Sequence, residues 1–320
     1  MTTIALGSGG EFDRIRLIAA ALGSHAGALG DDTGAVPEGK GTLVVSTDTS
    51  VEGVHFRRDW LAPQEIGWRA AASALSDLAA AAAVPAGVTV AVVAPPTLSE
   101  AQLVEVMCGV GEAASAARCR VIGGDLSSGP VLVITVTVFG HADPAPLSRR
   151  GAQPGDGIFV TGALGGARAA LLDWLDSETP SPAARLAFAR PQPRIAAAQW
   201  LRVAGATALM DLSDGLGGDA PHLAAASGVG LSLELERLPI HPSAHRVASR
   251  LGEPFQLFAA TGGEDYELLV TLPPAFTGER ECEPAVGVAL TRIGMVTGGS
   301  GVLATLDGKP VALTGFRHAI

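Results

Sequence analysis

The sequence is poor in lysine, tyrosine and cysteine, and each shortage narrows the chemistry open to the chain. Only Lys40 and Lys309 could serve a lysine-dependent mechanism, and Tyr266 is the single tyrosine. The three cysteines are scattered without Cys-x-x-Cys spacing. This usage fits a reducing compartment and argues against a disulfide framework or a zinc site.

Basic runs and long apolar runs are also lacking. The net charge is −10 with no basic stretch to offset it, so nucleic acid is not an expected partner. The most apolar region, residues 70–96, is interrupted by Asp77 and Pro85, so we expect no membrane span. No basic segment followed by an apolar one opens the sequence, and we therefore expect a cytoplasmic protein without a signal peptide.

The length and the order of elements predict two domains. A chain of 320 residues with 48% hydrophobic and 17% charged residues is typical of a compact protein too long for one core. Predicted strands alternate with predicted helices in both halves, so the fold class is α/β or α+β. A proline-rich stretch near residues 141–154 places the boundary between a domain at 1–145 and a domain at 146–320.

Local signals predict several single elements. Ser99, with Gln102 three residues on, predicts a capping box at the start of a helix. Short, mostly apolar runs predict strands at 157–161 and 208–212. Asp307-Gly308 predicts a two-residue hairpin turn.

An acidic turn rich in Gly or Ser follows an apolar run five times. We expect each of these turns to end a strand, and the strands at 41–47 and 121–122 to stop at them. Several carboxylates at such turns need cations, and cations beside Gly-rich turns suggest phosphates. The five turns are Gly30-Asp31-Asp32, Ser46-Thr47-Asp48-Thr49, Gly123-Gly124-Asp125, Asp211-Leu212-Ser213-Asp214-Gly215 and Gly262-Gly263-Glu264-Asp265.

Each of these features also has a plain structural reading. Asp32 can be a solvated turn residue, Asp48 can cap a loop, and His55 between Val54 and Phe56 can simply be packed. Asp77 is harder to explain in this way, because its helix is otherwise small and apolar, and a carboxylate buried there needs a partner or a metal. The alternative is that the Asp77 side chain faces solvent.

Two nucleotide-binding motifs are rejected. Residues 34–40 match the first seven positions of a P-loop, but Gly41 stands where Ser or Thr is required and no helix follows. Residues 162–166 do not form a Gly-x-Gly-x-x-Gly, and no acidic residue lies at a suitable distance for a dinucleotide site.

The ordered motifs resemble those of the thiamine-monophosphate kinase family, which belongs to a superfamily with aminoimidazole ribonucleotide synthetase. The resemblance implies two α/β domains, a homodimer built through the N-terminal sheet, and transfer of the ATP γ-phosphate to thiamine monophosphate. It is carried by Gly-Glu-Phe (10–12), Gly-Asp-Asp (30–32), Ser-Thr-Asp-Thr (46–49), Gly-Val-His-Phe (53–56), Leu-Ser-Asp-Leu-Ala (75–79), Ile-Gly-Gly-Asp (122–125), Arg-Arg-Gly-Ala-Gln-Pro-Gly-Asp (149–156), Asp-Leu-Ser-Asp-Gly-Leu (211–216) and Gly-Gly-Glu-Asp-Tyr-Glu-Leu (262–268).

The resemblance also implies roles for single residues. Positions that match magnesium ligands, for several Mg²⁺ ions, are Asp32, Ser46, Thr47, Asp48, Asp77, Asp125, Asp211 and Asp214. Positions that match contacts to ATP are Gly124, Asp125, Arg149 and Ser213, and those that match substrate contacts are His55, Glu264 and Phe316. The chain departs from the family at its end, because it closes with His318-Ala319-Ile320 instead of His-Phe. A catalytic role is implied for Asp211, Asp214 and Arg149.

Two alternatives stay open at this point. Another ATP-dependent member of the superfamily would keep the fold and change the acceptor, although a selenophosphate synthetase is disfavoured because no Cys lies near the N-terminus. A non-catalytic binder of nucleotide or thiamine phosphates is the alternative of a different class.

Overall fold

The protein divides into two compact units. A computed structural model describes residues 10–27, 29 and 33–315. The first unit is Met1–Leu78 with Ala83–Ala145, and the second is Ala79–Ala82 with Pro146–Ile320. Asp32 and Phe316 therefore lie outside the described residues. No helix in the described ranges is long and apolar enough to span a membrane.

The first unit is a four-stranded sheet with helices on one face. The strand order is β1-β4-β2-β3, with β2 and β3 parallel and the other neighbours antiparallel. The elements are α1 (Gly10–Leu22), β1 (Thr42–Val51), α2 (Pro63–Ala80), β2 (Val84–Ala94), α3 (Glu100–Ala116), β3 (Val121–Ser128) and β4 (Val133–Ala142).

Alternating burial along β4 shows which face the helices cover. Ile134, Val136 and Val138 are fully buried, whereas the residues between them are only half-buried. This period of two is typical of an antiparallel strand with one covered face. The chain returns from β2 to β3 through α3, whose start is set by the predicted capping box of Ser99 and Gln102.

The second unit is a seven-stranded sheet of order β11-β10-β7-β9-β5-β8-β6, in which only β10 and β7 pair in parallel. Its strands are β5 (Gly157–Thr161), β6 (Ala208–Leu212), β7 (Gly230–Glu234), β8 (Glu267–Leu272), β9 (Leu290–Thr297), β10 (Gly301–Leu306) and β11 (Lys309–Val311). Its helices are α4 (Gly166–Leu175), α5 (Pro182–Ala189), α6 (Ile195–Val203), α7 (Leu216–Ser227), α8 (Pro242–Leu251), α9 (Phe255–Thr261) and α10 (Glu279–Val286).

Helices cover both faces of this second sheet. Along β5, Ile158 and Val160 join the core that contains α7, whereas Phe159 joins the core on the α6 side. Strands β5, β6 and β8 are consequently buried along their whole length. This explains why most residues of these three strands are apolar.

Two of the expected turns are wrong, because they lie inside strands. β1 does not stop at Thr47 but continues to Val51, paired residue by residue with β4. β3 does not stop at Ile122 but runs to Ser128 in parallel with β2. A Cβ on Gly124 would lie 2.2 Å from the carbonyl oxygen of Val90, so this glycine permits close approach of the neighbouring strand.

Four elements of the second unit were not predicted at all. They are α5, α9, α10 and β9. α9 has only seven residues, and α10 contains Pro284 and four glutamate or arginine side chains, so neither shows a clear apolar period. β9 carries Gly294 in its middle and is defined by its neighbours β5 and β7.

Candidate active site

The polar residues predicted as ligands fall into two groups, one in each unit. In the first unit, Ser46 on β1 donates a 2.6 Å hydrogen bond from its hydroxyl to Oδ2 of Asp77 on α2. Asp77 is half-buried, so the solvent-facing alternative does not hold. A helix packed on a strand thus brings together two residues that are 31 positions apart.

Neighbouring residues of the first group point in different directions. Asp48 lies on the same face of β1 as Ser46 and is half-buried. Thr47 lies on the opposite, exposed face, where its hydroxyl is 2.9 Å from that of Thr137. Asp125 is exposed on β3, and its Oδ2 accepts a 3.3 Å hydrogen bond from the Ser127 hydroxyl. The structure therefore joins Ser46 with Asp77 and does not join Thr47 with them.

His55 is held by the backbone of the strand that precedes it. Its Nδ1 accepts a 3.1 Å hydrogen bond from the amide of Val51, and its own amide donates to the Val51 carbonyl at 2.9 Å. Because Nδ1 is an acceptor, the neutral ring carries its proton on Nε2. The half-buried imidazole thus has a defined orientation and a defined donor atom.

The second group forms at one end of the larger sheet, where β6 ends and β8 begins. Because these strands are antiparallel neighbours, the segments 211–215 and 262–266 meet there. The amide of Glu264 donates to the carbonyl of Ser213 at 2.7 Å, and the amide of Tyr266 donates to that of Leu212 at 2.9 Å. These bonds hold Glu264 and Ser213 side by side.

The backbone of this second group is strained. Glu264 and Tyr266 have φ values of +70° and +51°, a region that costs energy for residues other than glycine. A Cβ on Gly263 would lie 2.5 Å from the carbonyl oxygen of Ser213. The Tyr266 hydroxyl donates to Oε2 of Glu264 at 2.7 Å, which fixes the Glu264 carboxylate.

Asp219, in the first turn of α7, binds the backbone of the acidic segment 211–215. Its Oδ2 accepts hydrogen bonds from the amides of Ser213 and Asp214, at 3.0 and 2.9 Å. Asp219 is 4% exposed, and burial together with the charges of Asp211 and Asp214 raises its pKa to about 7. Sequence reasoning missed this residue, although an acidic residue at the start of a helix is a recognisable signal.

Asp265 ties the same region to another helix. Both oxygens of its carboxylate lie within 3.0 Å of the amide of Gly165, which precedes α4. Burial, and the nearby charges of Glu267 and Glu264, raise the pKa of Asp265 well above its ordinary value. Glu267 is itself paired with Arg194 and with the hydroxyl of Thr161.

The segment that carries Arg149 is hydrogen-bonded to β6 and to the C-terminal end of α7. The amide of Leu209 donates to the carbonyl of Ser148 at 2.9 Å, and the hydroxyl of Ser227 donates to the carbonyl of Arg149 at 2.8 Å. The Arg149 side chain is exposed. Ser227 was also not identified from the sequence, because a serine at the end of a helix carries no specific signal.

The oxygen atoms in both groups are suitable Mg²⁺ ligands, but among the described residues neither group provides enough ligands to hold the ion by itself. Carboxylate and hydroxyl oxygens are the donors that Mg²⁺ prefers, and it is often held by one or two carboxylates together with substrate phosphates. Among the described residues, no three His, Cys, Asp or Glu side chains converge on a metal position. Pairs such as Ser46 with Asp77 agree with sites that a phosphate substrate would complete.

Family models match both halves of the chain. The N-terminal domain of the AIR synthase related proteins matches residues 30–142, and their C-terminal domain matches residues 153–306. The thiamine-monophosphate kinase of Escherichia coli (strain K12) is 37% identical, with 96% of this chain and 95% of that protein covered.

The chain belongs to the thiamine-monophosphate kinase family. Among solved structures, the family member from Stenotrophomonas maltophilia K279a is 34% identical with a TM-score of 0.81, over 96% of this chain and 98% of that one. AaThiL complexed with AMPPCP and TMP is also 34% identical, with a TM-score of 0.77 over 99% and 100%. These matches confirm the expected pair of α/β domains of the aminoimidazole ribonucleotide synthetase-like type.

Proposed function

We propose that this protein transfers the γ-phosphoryl group of ATP to thiamine monophosphate and so forms thiamine diphosphate. The observation that carries the proposal is the match over 99% of this chain to a structure complexed with AMPPCP and TMP, at 34% identity. Relatives named thiamine-monophosphate kinase match over similar lengths.

The chemistry needs positioning and charge neutralisation more than a general base. A phosphate monoester has a second pKa of about 6, so the acceptor is largely ionised near neutral pH and can attack directly. Phosphoryl transfer is catalysed chiefly by alignment and by neutralising charge on the transferred group. We therefore propose in-line transfer to the acceptor without a phosphoenzyme.

The second unit supplies the groups we assign to the transferred phosphate. Asp211 and Asp214 would hold Mg²⁺, and Ser213 would contact the nucleotide. Arg149 would place its guanidinium, which stays charged at all relevant pH values, against the transferring group. When bound, Mg²⁺ would neutralise charge on the phosphate oxygens.

The first unit supplies further ligands. Ser46, Asp48, Asp77 and Asp125 would take part in holding Mg²⁺, with Gly124 and Asp125 against ATP. Thr47, which faces away from Ser46 and Asp77, would contact a separate Mg²⁺ ion. His55 would donate from Nε2 to the acceptor, because its Nδ1 is occupied by the Val51 amide. In the second unit Glu264, held by Tyr266, would also orient the acceptor. Asp32 and Phe316 keep their proposed metal and substrate roles.

The test is an ADP-release assay with ATP and Mg²⁺, in the presence and absence of thiamine monophosphate, with the product identified by chromatography. We expect ADP release that depends on the acceptor, together with thiamine diphosphate. Asp211→Asn should abolish most of this activity, while Asp307→Asn, at an exposed hairpin turn, should not. ADP formed only with a different acceptor would transfer the function to a sister family, and no ADP with any acceptor would favour a binding protein.

We also propose that the protein is a cytoplasmic homodimer assembled through the open face of the N-terminal sheet. All three cysteines are free thiols, as is usual in a reducing compartment. Leu43 and Val45 on β1 are 52% and 63% exposed, and a second copy would cover them. Light scattering should show a dimer that Val45→Lys dissociates, whereas Leu303→Lys, at an exposed position of the second unit, leaves it intact.

A further inference from the structure

One hydroxyl group binds three backbone groups of the segment that carries Arg149. The Ser227 hydroxyl donates to the carbonyl of Arg149 at 2.8 Å, and accepts from the amides of Gly151 and Ala152, each at 3.2 Å. A serine hydroxyl has one hydrogen to donate and two lone pairs to accept with. Its hydrogen-bonding capacity is therefore fully used on residues 149–152.

The same segment is fixed on its other side by β6. The carbonyl of Ser148 accepts from the amide of Leu209 at 2.9 Å. Gly151 has a φ of +129°, and a Cβ there would lie 2.3 Å from the carbonyl oxygen of Thr207. The backbone on both sides of Arg149 is thus held in one conformation, by β6 before it and by Ser227 after it.

The Arg149 side chain itself has no such support. It is exposed, and within the described ranges no hydrogen bond or ion pair to its guanidinium is found. A long side chain without contacts can be aimed only by the position and direction of its own backbone. The backbone contacts of Ser227 consequently determine where the guanidinium can reach.

We propose that Ser227 is a positioning residue for phosphoryl transfer, acting through Arg149. The inference rests on the proposed function, in which Arg149 contacts the transferring phosphate. A small displacement of a group that acts at the transition state lowers kcat more than it changes substrate binding. Ser227 should therefore affect kcat and leave the KM for thiamine monophosphate nearly unchanged.

The test compares Ser227→Ala, Ser227→Thr and Arg149→Ala in the full chain, by steady-state kinetics. We expect Ser227→Ala to lower kcat about 10- to 100-fold, and Ser227→Thr, which keeps a hydroxyl, to recover most of it. Ser181→Ala is the matched control, because that hydroxyl also binds a backbone amide and a second hydroxyl but lies at the start of α5. It should leave kcat unchanged.

The double variant shows whether Ser227 acts through Arg149. If it does, Ser227→Ala should have little further effect in the Arg149→Ala background, because effects that share one group are not additive. Fully additive losses, or a normal kcat for Ser227→Ala beside a slow Arg149→Ala, would overturn the inference and leave the proposed function standing. If the unmodified protein releases no ADP in response to thiamine monophosphate, the proposed function fails and the inference fails with it. Urea denaturation of each variant identifies any loss that is due to unfolding.

Discussion

Replacing Thr161 by valine should destabilise the second unit strongly, although the two side chains have nearly the same shape. Thr161 is fully buried at the end of β5. Its hydroxyl donates to Oε2 of Glu267 at 2.6 Å and accepts from the amide of Leu268 at 2.8 Å. Valine removes both hydrogen bonds and leaves a buried amide without a partner.

The size of the effect follows from these two bonds. A hydrogen bond to a charged group contributes about 1.5 to 3 kcal/mol, and a buried amide left unpaired costs about 1 to 3 kcal/mol. Glu267 keeps its ion pair with Arg194, so its carboxylate is not left unpaired. We therefore expect the free energy of unfolding of Thr161→Val to fall by about 2.5 to 6 kcal/mol, a large fraction of the stability of a typical domain.

Urea denaturation followed by circular dichroism measures this change. Thr161→Ser keeps the hydroxyl and loses one methyl group, which should cost only about 1 kcal/mol. Thr97→Val removes an exposed hydroxyl that accepts a hydrogen bond from the Arg58 guanidinium, and should change the free energy of unfolding by less than about 0.5 kcal/mol. If Thr161→Val were no less stable than Thr161→Ser, the hydroxyl would have no structural role and the reasoning would be refuted.

Three further predictions concern single side chains. Asp77→Asn should lower acceptor-dependent ADP release sharply while the circular dichroism spectrum stays unchanged, and near-normal turnover would exclude its metal role. Because burial raises the pKa of Asp265 above its ordinary 3.8, folding favours the protonated form of this carboxyl group. The resulting contribution to stability is complete below pH 3.8 and is lost as the pH rises through the raised pKa. Asp265→Asn, which keeps an acceptor for the Gly165 amide, should therefore lose less stability than the native chain as the pH is raised from about 4 in urea titrations, and parallel curves would contradict this. Burial raises the pKa of Cys119 to about 12, so iodoacetamide at about pH 8 should label this thiol only in urea. Mass spectrometry would show the label, and rapid labelling of the folded protein would disprove the burial of Cys119.

Local signals predicted the elements that depend on a few adjacent residues. Ser99 and Gln102 form the capping box that begins α3. Asp307 and Gly308 make the predicted hairpin turn, with φ values of +51° and +73°, as a two-residue turn between antiparallel strands requires. β5 and β6 have the predicted bounds, because a short apolar run between turn residues is sufficient to define a strand buried on both faces.

The polar segments of the first unit could not be interpreted in the same way. Glycine and aspartate are poor strand formers, so residues 123–125 look like a turn when they are considered alone. Hydrogen bonding to β2 outweighs that preference and makes them part of β3. The same effect extends β1 through residues 46–51, where pairing with β4 sets the end of the strand.

The sequence by itself determined the family, the two-domain α/β class and the residues that carry acidic or hydroxyl groups, because these depend on residue identity and order. Tertiary structure alone decided which of those groups meet. Ser46 reaches Asp77 because α2 packs on β1, and Glu264 lies beside Ser213 because β6 and β8 are neighbours. The supporting roles of Asp219 and Ser227 depend on hydrogen bonds to backbone atoms, which are identical in every residue and leave no trace in a sequence until the chain is folded.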